Sequence, residues 1–115
     1  MSVFNNHRRA VTAAKVYLEM RSFEIIELNW HRSRSKIDVI AKHNAIVYLI
    51  WVKFTSNVDS GGSDPDIPIT TLQRQMNEAR ELWTDENKWT SQCDLSLLEI
   101  SGAEFTIMAF INGLG

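Results

Sequence analysis

Asp38 and Lys53 are the two residues best placed by type and spacing to do chemistry. Asp38 sits in the middle of the segment KIDVIAK, and Lys53 ends the apolar run AIVYLIWVK. Both segments read as strands, so the two residues can lie side by side on one sheet face. A carboxylate beside an ammonium there is either a buried ion pair or the polar centre of a reactive site. A second set is cationic. Arg32, Arg34 and Lys36 alternate along the chain, so in an extended segment they share a face. Three cations in a row suit contact with successive phosphates, or protection of a sheet edge against aggregation. Arg8 and Arg9, at the start of the first helix, extend the same patch. A third set is acidic: Asp59, Asp64 and Asp66 lie in the loop after Lys53, where one of them could swing toward Asp38.

Other reactive types are not arranged for chemistry. His7, His31 and His43 are scattered, with no spacing that fits a metal pair. The single cysteine, Cys93, has no partner and reads as a small buried hydrophobe. There is no glycine-rich phosphate loop and no serine nucleophile elbow. Of the four tryptophans, Trp83 falls on a helix stripe and Trp51 shares the side of Lys53. Trp89, in a polar loop, is the one expected to be exposed.

The elements that position these residues can be read from periodicity. Residues 5–21 place Ala10, Ala13, Ala14, Tyr17 and Leu18 at three- and four-residue spacing, a helix lying close against a sheet. Residues 23–30, 36–42 and 45–53 read as strands joined by short connections, hence an antiparallel meander. The third is apolar almost throughout, the pattern of a strand buried on both faces. Residues 55–68 form a long loop rich in Gly, Pro and Asp. Residues 71–86 predict a second helix with the stripe Leu72, Met76, Ala79 and Trp83, opened by a Thr70–Gln73 capping box. Residues 93–100 and 104–111 read as two more strands, with Ser101-Gly102 as the turn. The order is α-β-β-β-α-β-β in one domain, residues 1–115. This is an α/β fold with a central mixed five-stranded sheet flanked by helices.

Composition bounds the rest. With 115 residues, 44% hydrophobic and 23% charged, the chain is an ordinary globular domain. A net charge of −2 argues against binding polyanions with the whole surface. The charge is uneven, however: residues 1–53 carry about +5 and residues 54–115 about −7. No run reaches the roughly 18 apolar residues of a membrane span, and the polar, basic start is not followed by an apolar targeting segment. A cytoplasmic protein without membrane contact is expected.

The segment SKIDVIA, followed by a long apolar strand ending in lysine, resembles the small bacterial YraN-like family. That group of endonuclease-like proteins has the restriction-endonuclease-like fold of PD-(D/E)xK type. Ala14, Tyr17 and Leu18 match the family's first helix, and Asn29 and Arg32 its Asn-x-Arg step with one place of slippage. Ser35–Ala41 match Gly-Glu-Ile-Asp-Leu-Ile-Ala, and Leu49–Lys53 match Phe-Val-Glu-Val-Lys. The resemblance implies Mg²⁺ or Mn²⁺ held by the Asp and by a Glu two residues before the Lys. It also implies a Lys that positions water or offsets developing charge. Here the matching Glu positions hold Trp51, Val11 (Thr12 if the register slips by one) and Lys36. The implied site is therefore a remnant: Asp38 and Lys53 as its catalytic residues, with Asp38 alone as a weak metal ligand.

Three functions are compatible with these residues. The first is nucleic-acid binding through Arg8, Arg9, Arg32, Arg34 and Lys36, with metal-dependent phosphodiester cleavage impaired or absent and branched or duplex DNA as partner. The second is an active Mg-dependent endonuclease on branched DNA, its site rearranged around a loop aspartate. The third is a non-catalytic protein-interaction module whose acidic half faces a basic partner.

Overall fold

The structure is a computed structural model that describes residues 3–56 and 62–115, the side chains of Val3 and Phe4 excepted. The elements are α1 (Val3–Met20), β1 (Glu24–Arg32), β2 (Ser35–His43), β3 (Ile46–Thr55), α2 (Ile69–Asn87), β4 (Cys93–Ser101) and β5 (Thr106–Ile111). They form one five-stranded sheet in the order β1-β2-β3-β4-β5. β1, β2 and β3 are the expected antiparallel meander, β3 and β4 are parallel, and β5 returns antiparallel to β4. The parallel pair requires a crossover, which the acidic loop and α2 supply.

The helices cover opposite faces. On one face Ala10, Val11, Ala14 and Leu18 of α1 pack on Val39, Ala41, Ile50, Val52 and Leu98. On the other, Met76, Ala79 and Trp83 of α2 pack on Ile40, Leu49, Trp51 and Leu95. The small residues of α1 explain its close approach: Ala10 and Ala14 are fully buried, and a larger side chain there would push the helix off the sheet. β3 contributes Val47, Leu49 and Trp51 to one core and Ile50, Val52 and Phe54 to the other. That is why its sequence shows no alternation.

One irregularity shapes the molecule. Regular alternation would put Leu28 and Trp30 on the same face, and likewise Ile37 and Val39. Instead Leu28 and Val39 join the α1 core, while Trp30 and Ile37 join the α2 core. The inversion occurs at Asn29 and Asp38, between the cross-strand pairs Leu28–Val39 and Trp30–Ile37. Asn29 takes a left-handed backbone, φ 54°, a conformation asparagine tolerates better than most residues. The β2–β3 ladder also ends beside it, at Val39–Ile50.

One local expectation is corrected. α2 begins at Ile69 behind Pro68, without a side-chain cap. Gln73 does not close a capping box with Thr70. Its amide donates instead to the Leu114 carbonyl at 3.1 Å, a contact no local pattern signals. The charge halves do not stay apart, because the parallel β3–β4 pair interleaves them: Arg32 reaches Glu86 of α2, and Lys53 reaches Asp66.

Because α1 lies so close to the sheet, Ala14→Leu is expected to cost about 1–3 kcal/mol through overpacking. Urea denaturation of the variant against the parent measures this, and an unchanged midpoint would contradict the packing described.

Candidate functional site

The face inversion leaves Asp38 pointing into the end of the sheet beside α1. Asp38 is 4% exposed, and its carboxylate takes three donors. The Val52 N–H donates to Oδ2 at 2.8 Å, where β2 no longer offers a backbone partner. Lys36 Nζ lies 3.4 Å from Oδ1, and His7 Nε2 lies 3.0 Å from the same oxygen. The other imidazole nitrogen, Nδ1, lies 2.7 Å from Asp64 Oδ2. His7 thus bridges two carboxylates, one from β2 and one from the loop.

The loop is held in place to allow this. The Asp64 backbone N–H donates to the Phe54 carbonyl at 2.8 Å, and the Phe54 N–H donates to the Asp64 carboxylate at 2.8 Å. Ser56 N–H donates to Ser63 Oγ at 2.7 Å. Asn6 of α1 donates to the Gly62 carbonyl at 3.4 Å, and Gly62, at φ 105°, has a backbone that suits glycine. Residues 62–66 are therefore a strap from β3 across the N-terminal turns of α1.

The two carboxylates raise the His7 pKa to about 9, first through the hydrogen bond to Asp38 and then through that to Asp64. The ring is an imidazolium at neutral pH. Burial pushes the Asp38 carboxyl up. The His7 hydrogen bond, the Lys36 and His7 charges and the Val52 N–H together outweigh burial and hold it below the ordinary value. Asp38 is accordingly an anion with an internal counter-cation.

The sequence-predicted residues divide into three groups. Arg8, Arg34, Lys36, Asp38 and Lys53 all line one cleft of about 1130 Å³, together with His7, Trp30, Trp51, Asp64 and Glu99. Arg32 does not join them: it forms a two-pronged pair with Glu86, at 2.9 and 2.8 Å, and lies over the Trp30 ring. Arg9 also lies elsewhere, 4.7 Å from the Phe105 ring centre. The expectation that Arg32, Arg34 and Lys36 share a face fails for a simple reason. The chain reverses at Ser33 and Arg34, so Arg32 pairs with Ser35, and Lys36 pairs with His31 on the next rung. Adjacent rungs face opposite sides.

Asp38 and Lys53 share the cleft, but their ion pairs are separate. Asp38 takes His7 and Lys36, while Lys53 takes Asp66. The face inversion at Asp38, invisible to a period-two reading, breaks the expected pairing. Of the three loop aspartates, Asp64 comes to Asp38 through His7, Asp66 goes to Lys53, and Asp59 lies outside the described residues. His7 is the residue the sequence reading missed. Its one signal was its position one turn before Val11, on the face of α1 that packs on the sheet.

The remaining tryptophans are structural. Trp51 is 6% exposed and packs in the α2 core, with Trp83. Trp89 is half-buried against Trp83, and its Nε1 donates to the Gln92 carbonyl at 3.0 Å, so it is not the exposed ring expected. Burial pushes the Cys93 thiol up to about 11, which suits its packing role and leaves no thiolate at neutral pH.

A divalent metal does not fit these groups. Both Asp38 oxygens already accept hydrogen bonds, the gap between Asp38 and Asp64 is filled by the His7 ring, and the Trp51 indole offers no oxygen. Among the described residues no three His, Cys, Asp or Glu side chains are grouped to hold a metal ion.

The model of the uncharacterised protein family UPF0102 matches residues 11–104. The chain belongs to that family. A UPF0102 protein of Shewanella denitrificans is 26% identical over 97 residues, covering 84% of this chain and 89% of its own. One of Lachnoclostridium phytofermentans is 29% identical over 69 residues, covering 60% and 58%. A shorter, stronger match, 44% over 41 residues, links the chain to a UPF0102 protein of Campylobacter jejuni. It covers 36% of this chain and 37% of that relative. The UPF0102 match spans Asp38, Lys53 and Asp64 but begins after His7. Among the described residues no helix is long and apolar enough to cross a membrane.

Three outcomes follow from these ion pairs. The unfolded chain returns His7 to its ordinary value near 6.5, below the folded value of about 9. The stabilisation is therefore complete below about pH 6.5 and disappears as the pH rises through 9. Melting temperatures across that range should fall more in the parent than in His7→Gln, and parallel curves would contradict the bridge. In urea denaturation, Asp38→Ala should cost about 3 kcal/mol, because it strands the buried Val52 N–H and removes one of the two carboxylates that hold the half-buried His7. Arg32→Ala, at an exposed pair, should leave the midpoint nearly unchanged.

Proposed function

We propose that this UPF0102 protein has a restriction-endonuclease-like fold and binds nucleic acid, with metal-dependent phosphodiester cleavage impaired or absent. The observation that carries the reading is the cleft itself. Arg8, Arg34, Lys36 and Lys53 converge on it from three elements of the fold. The acid at its centre, Asp38, is already neutralised by His7. Cations gathered along one cleft suit a phosphate backbone. An internal counter-cation, with an indole where the resemblance implies a carboxylate, suits loss of metal chemistry. The resemblance of SKIDVIA and of the strand ending in Lys53 to the YraN-like pattern supports DNA, branched or duplex, as the partner.

One observation favours the second reading, an Mg-dependent endonuclease with a rearranged site. The loop does deliver an aspartate, Asp64, to the neighbourhood of Asp38. That reading requires His7 to leave the gap between them.

Fluorescence anisotropy of labelled linear and four-way-junction DNA, at low and moderate salt, tests the proposal. Binding is expected at low salt and should weaken steeply as salt rises, because phosphate contacts release counterions. Arg34→Gln and Lys36→Gln should each weaken binding and lower the slope of log K against log salt by about 1. No binding at low salt would overturn the reading and leave a protein-interaction module. Mn²⁺-dependent cleavage abolished by Asp38→Ala would replace it with the second reading.

A further inference from the structure

The cleft holds more than phosphate binding needs. A backbone groove requires cations and water. This one has an apolar floor, where Leu97 of the sheet and Leu72 of α2 are part-exposed over the buried Ile37 and Trp51, and a rim of Ile67 and Ile69. Both rim residues are substantially exposed, at 43% and 52%. Trp30 also lines the cleft. Its side chain is 1% exposed, and its Nε1 is a buried donor with no acceptor among the described residues. A buried N–H without a partner costs about 1–3 kcal/mol, so such groups point to a function or a missing partner.

We propose that the cleft seats one unpaired nucleotide of a DNA strand. Its base would lie on the apolar floor with a carbonyl accepting from Trp30 Nε1, and its flanking phosphates would lie on Arg8, Arg34 and Lys36. The inference rests on the nucleic-acid reading and narrows it. The cleft, at about 1130 Å³, is somewhat larger than a typical small-ligand site of about 300–1000 Å³, and has room for a nucleotide. A base within a duplex keeps its faces stacked and its edge paired, so it cannot reach such a floor. A single-stranded or extruded base can. Glu78 and Glu99, also on the cleft wall, repel phosphate and can accept from the amino or imino N–H of a base. The polar edge of the base and the phosphates are thereby directed to different parts of the site.

The test compares a labelled 12-mer of dT with a blunt duplex of the same length, at one low salt concentration, by anisotropy and by quenching of tryptophan emission. The single strand is expected to bind at least tenfold more tightly and to quench emission. Trp30→Phe, which keeps an aromatic ring at the position and removes the N–H, should lose several-fold of the single-strand affinity and none of the duplex affinity. Ile69→Ser, on the exposed rim, should lower single-strand affinity about threefold without threatening the fold, so the test survives if the Trp30 variant is unstable. Equal affinity for the duplex, or single-strand binding unmoved by Ile69→Ser and by a folded Trp30→Phe, would overturn the nucleotide seat. The broader nucleic-acid reading would still stand. Competition by dTMP as effective as the strand, nucleotide for nucleotide, would overturn the strand as occupant. Failure of both probes to bind at low salt would overturn both readings together.

Discussion

The carboxylate of Asp38 replaces a backbone group. β2 stops pairing with β3 at Val39–Ile50, and one step further the Val52 N–H donates to the Asp38 side chain rather than to a carbonyl. Much of the site follows from this substitution. It ends the β2–β3 ladder without leaving a buried donor unsatisfied, and it lets the β1–β2 hairpin twist away, so that a cleft opens between hairpin, strap and α2. It also buries a negative charge at the end of a sheet, which demands a cation. His7 and Lys36 supply it. The position of α1 is constrained in turn, because its first turns must bring an imidazole to within 3.0 Å of a strand carboxylate.

The strap depends on the same centre from the other side. Asp64 accepts from the Phe54 N–H with the oxygen that also faces His7, so one carboxylate fixes both the loop backbone and the histidine. The acidic loop is thus not merely a solvated connection between β3 and α2. Residues 62–66 belong to the site, and their aspartates go to separate cations: Asp64 to His7, and Asp66 to Lys53.

Most of the fold was legible in the sequence, for reasons that can be named. The continuous apolar run through Trp51 announced a strand buried on both faces, and the alanines of α1 announced close helix–sheet packing. The short connections forced the meander, and the long one permitted the crossover. What was not legible depends on geometry that periodicity does not carry. The face inversion at Asn29 and Asp38 breaks the period-two rule in both strands at once, so the pairing of Asp38 with Lys53 was anticipated and does not form. The reversal at Ser33-Arg34 divides three cations that look like one stripe. His7 was passed over because a histidine in a polar N-terminal segment has no sequence partner. Its two partners lie 31 and 57 residues away.

The substitutions at the centre make sense together better than one at a time. Set against the YraN-like pattern, this chain has Lys36, Trp51 and Val11 where the pattern has acids. Removing a single acid from a metal cluster leaves the others in mutual repulsion, a state that favours protonation or unfolding. Removing all three leaves one buried anion, Asp38, which needs one cation rather than a divalent ion. Lys36, at a position where that pattern has an acid, is part of that supply. The imidazolium of His7 provides the rest and spans to Asp64 as well. Trp51, with no charge to solvate, fills space and joins the α2 core. The centre is therefore internally neutral: the charges of Asp38 and Asp64 are matched by those of His7 and Lys36.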